Sequence, residues 1–174
     1  MSGIKGRERL QPSLLDRLID HDPARKKDAP NEQFMTASQL RQAVIRDLAA
    51  LLSTSNLTTL IDLSSAPLAA ASTLNFGIPG FAGVLESSAP AYAMEHDLAE
   101  AIRRFEPRID PDTLAVRSCG AREDSAIPAL IFEISGELWG QPIAQQVFFE
   151  TTIEVETRAA KVVEMRHPGS EAQR

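Results

Sequence analysis

Cysteine is almost missing from this chain: Cys119 is the only one in 174 residues, so no disulfide can close within it. A reducing, cytoplasmic setting is the expectation. No apolar run approaches the roughly 20 residues that a membrane-spanning helix needs, so direct membrane insertion is not expected. Met1-Ser2-Gly3-Ile4-Lys5 carries no apolar core of a secretory signal. Aromatic residues make up only 5%, with Trp139 the sole tryptophan, which is thin for a sugar-binding cleft. His21, His96 and His167 lie far apart with no ligand-spaced Cys or His beside them, so no metal site is expected. No Gly-x-Ser-x-Gly elbow is present, and no Ser/His/Asp set has a local signature. Gly77, Gly80 and Gly83 are spaced like a phosphate loop but lack the following Lys-Ser/Thr, and Pro79 removes a donor. A tight turn is the reading there, and no cofactor is expected.

Basic charge is also in short supply. The net charge of −6 argues against a nucleic-acid partner, which would call for a basic surface. The charge is unevenly spread, however. Residues 1–27 hold seven Lys/Arg against four acids, while the remainder holds eleven against twenty. A basic arm on an acidic body suits docking to a partner, and equally suits an ordinary solvated terminus.

What is present divides into an arm, a body and a tail. Residues 1–33 read as a basic N-terminal arm with a short amphipathic helix over 12–20 and a Pro-containing linker. Leu14, Leu15, Leu18 and Ile19 share one face of that helix, which is too short to be stable alone. Residues 34–166 read as one α+β domain, and 167–174 as a loose C-terminal tail. Thr36 or Ser38 is placed to cap a helix whose buried face is Leu40, Val44, Leu48, Leu51 and Leu52, widened by Ile45. Residues 53–90 carry weaker signals, ending in turn-forming glycines and Pro79. A second helix follows over 91–105, with Met94, Leu98, Ile102 and Phe105 on one side and Arg103 and Arg104 in its last turn.

After Arg108 the period changes from about four to two. Leu114, Val116 and Ser118 alternate with Ala115 and Arg117; Leu130, Phe132 and Ile134 alternate with Ile131 and Glu133. Val147, Phe149, Thr151, Ile153 and Val155 alternate with Phe148, Glu150, Thr152 and Glu154. These are antiparallel strands with one wet face, and turns are expected around 121–124 and 136–142. Helices first and strands last give an α+β fold, with N-terminal helices packed on a small antiparallel sheet.

Between the second helix and the strands stands Phe105-Glu106-Pro107-Arg108-Ile109. Pro107 cannot continue a helix and pushes Glu106 toward an extended conformation. Glu106 and Arg108 then project to the same side. Two readings are open. The pair is a partner contact, or Arg108 caps the helix end while Glu106 pairs with Arg103 or Arg104. Glu106, Asp110 and Asp112 could also serve as the carboxylates of a glycoside hydrolase. Their Pro-rich, solvent-leaning corner offers no apolar wall to enclose a catalytic acid, so no catalytic residue is assigned.

Three stretches in order resemble a known family: Pro12-Ser13-Leu14-Leu15-Asp16-Arg17-Leu18, then Leu40–Leu52 leading to Leu74-Asn75-Phe76-Gly77-Ile78-Pro79, then Phe105–Ile109. Over residues 12–164 the chain resembles the TssE subunits of bacterial type VI secretion systems, relatives of phage baseplate wedge proteins once labelled tail lysozymes. The resemblance implies a sheath-initiating, baseplate-wedge type of α+β domain that is not an enzyme. Its site is in the cytoplasmic baseplate docked at the inner membrane complex. Implied partners are TssF and TssG type wedge subunits, TssB/TssC type sheath subunits and, as a further neighbour, a TssK type subunit. Glu106, Pro107 and Arg108 match the family's sheath-facing Glu-Pro-Arg signature. Leu14, Leu15, Asp16, Arg17 and Leu18 are the expected wedge-binding residues, on the strength of the lone short helix. Gly80 stands where the family usually has an acidic residue, a departure that bears on the 77–83 loop. The alternative reading is a peptidoglycan-cleaving, lysozyme-like hydrolase with Glu106 as the acid.

Overall fold

The computed structural model describes residues 12–18, 35–80, 90–122, 127–139 and 144–165. The rest of the expected arm, the linker, residues 81–89, the 123–126 and 140–143 connections and the C-terminal tail lie outside the described residues. Four helices precede four strands: α1 Leu14–Leu18, α2 Ala37–Ser53, α3 Pro67–Ala70, α4 Pro90–Phe105, then β1 Ala115–Arg122, β2 Ala129–Leu138, β3 Gln145–Glu154 and β4 Ala160–Glu164. The fold is α+β, as the periodicity predicts.

Thr36 starts α2 through a reciprocal capping box. Its Oγ1 accepts from the Gln39 N–H at 3.2 Å, and Gln39 Oε1 accepts from the Thr36 N–H at 2.8 Å. The predicted face of Leu40, Val44, Leu48, Leu51 and Leu52 is buried, with Ile45 partly so. In α4, Met94, Leu98 and Ile102 are buried, and Phe105 stacks edge-on against Phe76 at 5.2 Å between ring centres.

The strands form an antiparallel meander in the order β1-β2-β3-β4. Leu130, Phe132 and Ile134 of β2 and Val147, Phe149, Thr151 and Ile153 of β3 turn inward, as their alternation requires. α2 packs with β4 and α4 with β1, and the two helices also touch each other. The core thus lies between one helical layer and one face of the sheet.

Several details depart from the sequence expectations. Gly136 belongs to β2 rather than to a turn: a Cβ there would come within 2.9 Å of Ile109 Cγ2, so glycine admits a close neighbour inside the strand. β1 runs on to Arg122 by way of a bulge between Ser118 and Gly120, the latter at φ +101°. β4 is an additional strand that the sequence pattern did not signal. Between α2 and α4, Ser55 and Ile78 make a short parallel bridge. The Asn56 N–H donates to the Ile78 carbonyl at 3.0 Å, and the Ile78 N–H donates to the Thr54 carbonyl at 2.9 Å. Gly77 enables this contact. It sits at φ +117°, and a Cβ there would lie 2.3 Å from the Thr54 carbonyl oxygen.

Candidate partner-binding site

α4 ends where Pro107 forces it to. The Glu106 N–H still donates to the Ile102 carbonyl at 2.8 Å, the last helical bond, and the chain then turns through an Ile109 N–H to Glu106 carbonyl bond of 3.2 Å. The turn is fastened to the end of β2. Trp139 N–H donates to the Arg108 carbonyl at 2.8 Å, Asp110 N–H to the Glu137 carbonyl at 2.9 Å, and Ile109 bridges Leu138. Arg108 therefore stands on backbone fixed from both sides.

The extended run expected over Glu106–Arg108 is not found: Pro107 and Arg108 lie in the turn closed by the Ile109 N–H to Glu106 carbonyl bond, and within that turn Glu106 and Arg108 pair with each other. Arg108 Nε donates to Glu106 Oε1 at 2.6 Å, Nη2 donates to Oε2, and the Arg108 backbone N–H adds a bond of 3.2 Å to Oε1. This is a fork-to-fork guanidinium–carboxylate pair. Glu106 is only 3% exposed, so the solvent-leaning corner expected for it is not found; the side chain lies beneath Arg108, which keeps 21% of its side-chain surface. With both oxygens taken up by Arg108, Glu106 has neither one directed at a substrate. Arg103 and Arg104 are engaged elsewhere, with Glu100 and with the Ala70 carbonyl.

The network continues beyond the motif. Arg108 Nη2 also donates to Asp47 Oδ2 on α2 at 2.6 Å. Arg46 Nε donates to Asp47 Oδ1 at 2.7 Å, and Arg46 Nη1 reaches Asp16 Oδ1 on α1 at 2.7 Å. Asp16 also accepts from the Ser13 hydroxyl at 2.6 Å, while the Asp16 N–H donates back to Ser13 Oγ at 3.3 Å. Burial works against the charge on Asp16, but the bonds from Arg46 and Ser13 and the nearby Arg46 and Arg108 charges prevail and hold its carboxyl below the usual range. Burial likewise opposes the charge on Arg108, and the bonds and charges of Glu106 and Asp47 outweigh it.

Each expected site residue that falls among the described residues can now be placed. Glu106, Pro107 and Arg108 form one rigid turn. Leu14, Asp16, Arg17 and Leu18 lie on α1, which begins at Leu14 rather than at Pro12, while residues 19 and 20 of the expected helix lie outside the described residues. Leu14 and Leu18 are 72% and 74% exposed, so α1 does not bury these leucines in the chain's own core. The side chain of Leu15 lies outside the described residues. Asp47 and Arg46 were missed. They sit on the wet side of α2, where acid–base neighbours are commonplace, and only the tertiary approach of α2 to the turn gives them a role.

Among the described residues no group of three His, Cys, Asp or Glu could hold a metal, and no helix is long and apolar enough to cross a membrane. A cleft of about 410 Å³ near Ile61, Leu63, Pro67 and Arg104 has Asp62 as its only carboxylate, held by Ser64. The sheet edges are each closed at one point by a helix side chain. Ser118 N–H of β1 donates to Glu95 Oε1 at 2.7 Å, and Ala160 N–H of β4 donates to Ser53 Oγ at 2.9 Å.

Residues 38–143 match the family model described as baseplate wedge protein gp25. No curated protein and no solved structure matches the chain. The matched span covers α2 through β2 and includes the whole Glu106–Arg108 turn. Members of this family are structural baseplate components, which implies contacts with other baseplate proteins. On a match extending over more than half its length, the chain belongs to the baseplate wedge protein gp25 family, the family of TssE.

Proposed function

We propose that this chain is a non-enzymatic subunit of a type VI secretion baseplate that joins the wedge and starts polymerisation of the contractile tail sheath. In this reading it resides in the cytoplasm, in a baseplate docked at the inner membrane complex. The body, residues 34–166, meets TssB/TssC type sheath subunits through the Glu106-Pro107-Arg108 turn. The arm, residues 1–33, meets TssF and TssG type wedge subunits through Leu14, Leu15, Asp16, Arg17 and Leu18, with a TssK type subunit as a further neighbour. Residues 167–174 form a tail with no assigned contact.

The observation that carries the reading is the Arg108 guanidinium. It is partly exposed, forked onto a buried carboxylate and mounted on a turn bonded to β2. Its Nε and Nη2 are engaged and its Nη1 is buried, so the turn offers a partner the charge of a fixed cation rather than a free donor. Glu106 is its support rather than a second presented charge. Leu14 and Leu18, four residues apart on α1 and exposed, favour the wedge contact.

The test is co-purification with co-expressed wedge and sheath subunits. Arg108→Glu would place a third carboxylate beside Glu106 and Asp47 and strand a buried charge, a defect costing roughly 3–5 kcal/mol by itself. The double variant E106Q/R108Q avoids this by removing both charges together. Wild type and double variant should both hold the wedge, and only wild type should retain sheath. A double variant with a native circular dichroism spectrum that still recruits sheath would refute the role of the turn.

A further inference from the structure

The ion pairs connect two surfaces that are far apart in sequence. Glu106, Arg108, Asp47, Arg46 and Asp16 form one continuous series, running from the end of α4 across α2 to α1. Every link is 2.7 Å or less, and at Asp47 one carboxylate is shared between the two arginines. Arg46 is likewise shared, between Asp47 and Asp16. Leu14 and Leu18 of α1 are exposed, whereas Asp16 reaches α2 through Arg46.

Arg108 itself is left incomplete. Of its nitrogens, Nε and Nη2 are bonded to Glu106 and Asp47, whereas Nη1 is buried with no acceptor among the described residues. A buried donor without an acceptor is unfavourable. A shift of the guanidinium could therefore complete its bonding, and the Glu106 fork and the Asp47 bond together restrain that shift.

We propose that Asp47 and Arg46 are positioning residues that clasp α1 to the Glu106–Arg108 turn, so that the seating of α1 and the setting of the Arg108 guanidinium are linked. The proposal rests on the reading above for its biological use, because it would make wedge engagement at α1 felt at the sheath-facing arginine. Linkage is reciprocal: whatever displaces α1 alters Arg108, and whatever occupies Arg108 alters α1 to the same degree. Carboxylate, carbonyl or phosphate-like acceptors are what Nη1 would take once the guanidinium shifts.

The experiment uses the isolated full-length chain, so its outcome does not depend on whether the wedge and sheath assignments are correct. Nuclear magnetic resonance would follow backbone order at residues 14–18 and the Arg108 Nε–H resonance in wild type, Asp16→Asn and Arg108→Lys. Asp16→Asn breaks the far end of the series. Arg108→Lys keeps a cation beside Glu106 but loses the planar fork that reaches Asp47. In wild type, α1 should be ordered, with order parameters near about 0.85 that fall below about 0.6 in both variants. Asp16→Asn should also shift the Arg108 Nε–H resonance or speed its exchange with water. A merely local role for Asp16 would loosen α1 and leave that resonance unmoved. That outcome, a disordered α1 in wild type, or an α1 indifferent to Arg108→Lys would each overturn the clasp. Failure of the co-purification test with an intact clasp would instead remove only its assigned use.

Discussion

At residue scale, Thr151 shows what a single atom does in this core. It lies on the inward face of β3 between Phe149 and Ile153, fully buried, and its Oγ1 has no partner among the described residues. Valine has the same branched shape without the hydroxyl. Thr151→Val should therefore stabilise the domain by about 1 kcal/mol, since a buried unmet polar group is removed at nearly constant volume. For a chain of this size that is a rise of roughly 2–4 °C in Tm, readable by thermal denaturation. A lower Tm would mean that the hydroxyl has an acceptor in solution. Glu106 is the contrasting case, equally hidden but satisfied on both oxygens by Arg108. Its value to the fold depends on that one partner being present.

At element scale, α1 is the piece whose attachment is most open to control, because its charge contact rests on one carboxylate. Asp16 titrates below its ordinary value of 3.8 in the folded chain. A depressed acid supports the attached state fully above its unfolded value, and that support fades as pH falls through the folded value. Lowering the pH from about 6 through the folded value of Asp16, which lies below 3.8, should thus loosen α1 from α2, seen as falling backbone order at residues 14–18 in excess of any change in the strands. Equal loosening of α1 and the strands would point to general acid unfolding instead.

The same scale shows what was legible in the sequence. α2 and α4 could be read because their apolar residues recur every three to four positions and each has one recognisable boundary, Thr36 at the start of α2 and Pro107 after the end of α4. β2 and β3 could be read from strict alternation. β4 could not: Ala160 to Glu164 is five residues long with Val162 its only buried apolar side chain, and it becomes a strand by pairing with β3. Gly136 misled for the opposite reason, since its turn-like identity serves the close approach of Ile109. Pro107 signals the end of α4, but the pairing of Glu106 with Arg108 in a turn rather than an extended run, the burial of Glu106 and the approach of Asp47 depend on how α2 and β2 pack around it. Those are tertiary facts with no local signature.

At the scale of the whole molecule, the helices cover one face of the sheet, and each outer strand has a backbone N–H taken by a helix side chain, Glu95 at β1 and Ser53 at β4. One donor is thereby satisfied on each edge strand. α1 and the Arg108 turn are separate stretches of the chain, so the two proposed contacts can be separated by truncation. Removing residues 1–20 takes away the Asp16–Arg46 contact and the exposed side chains of Leu14 and Leu18. The ion pair joins a half-exposed Arg46 to a mostly covered Asp16 and contributes about 1 kcal/mol, so loss of that contact alone should lower Tm by no more than roughly 4 °C. Wedge capture should disappear in co-purification while the circular dichroism spectrum stays native. Sheath recruitment should weaken without vanishing, because Arg108 remains on its turn but loses the far end of its clasp. A large drop in Tm would show that the arm packs on the chain's own body and serves the fold, and unchanged wedge capture would place that contact elsewhere on the molecule.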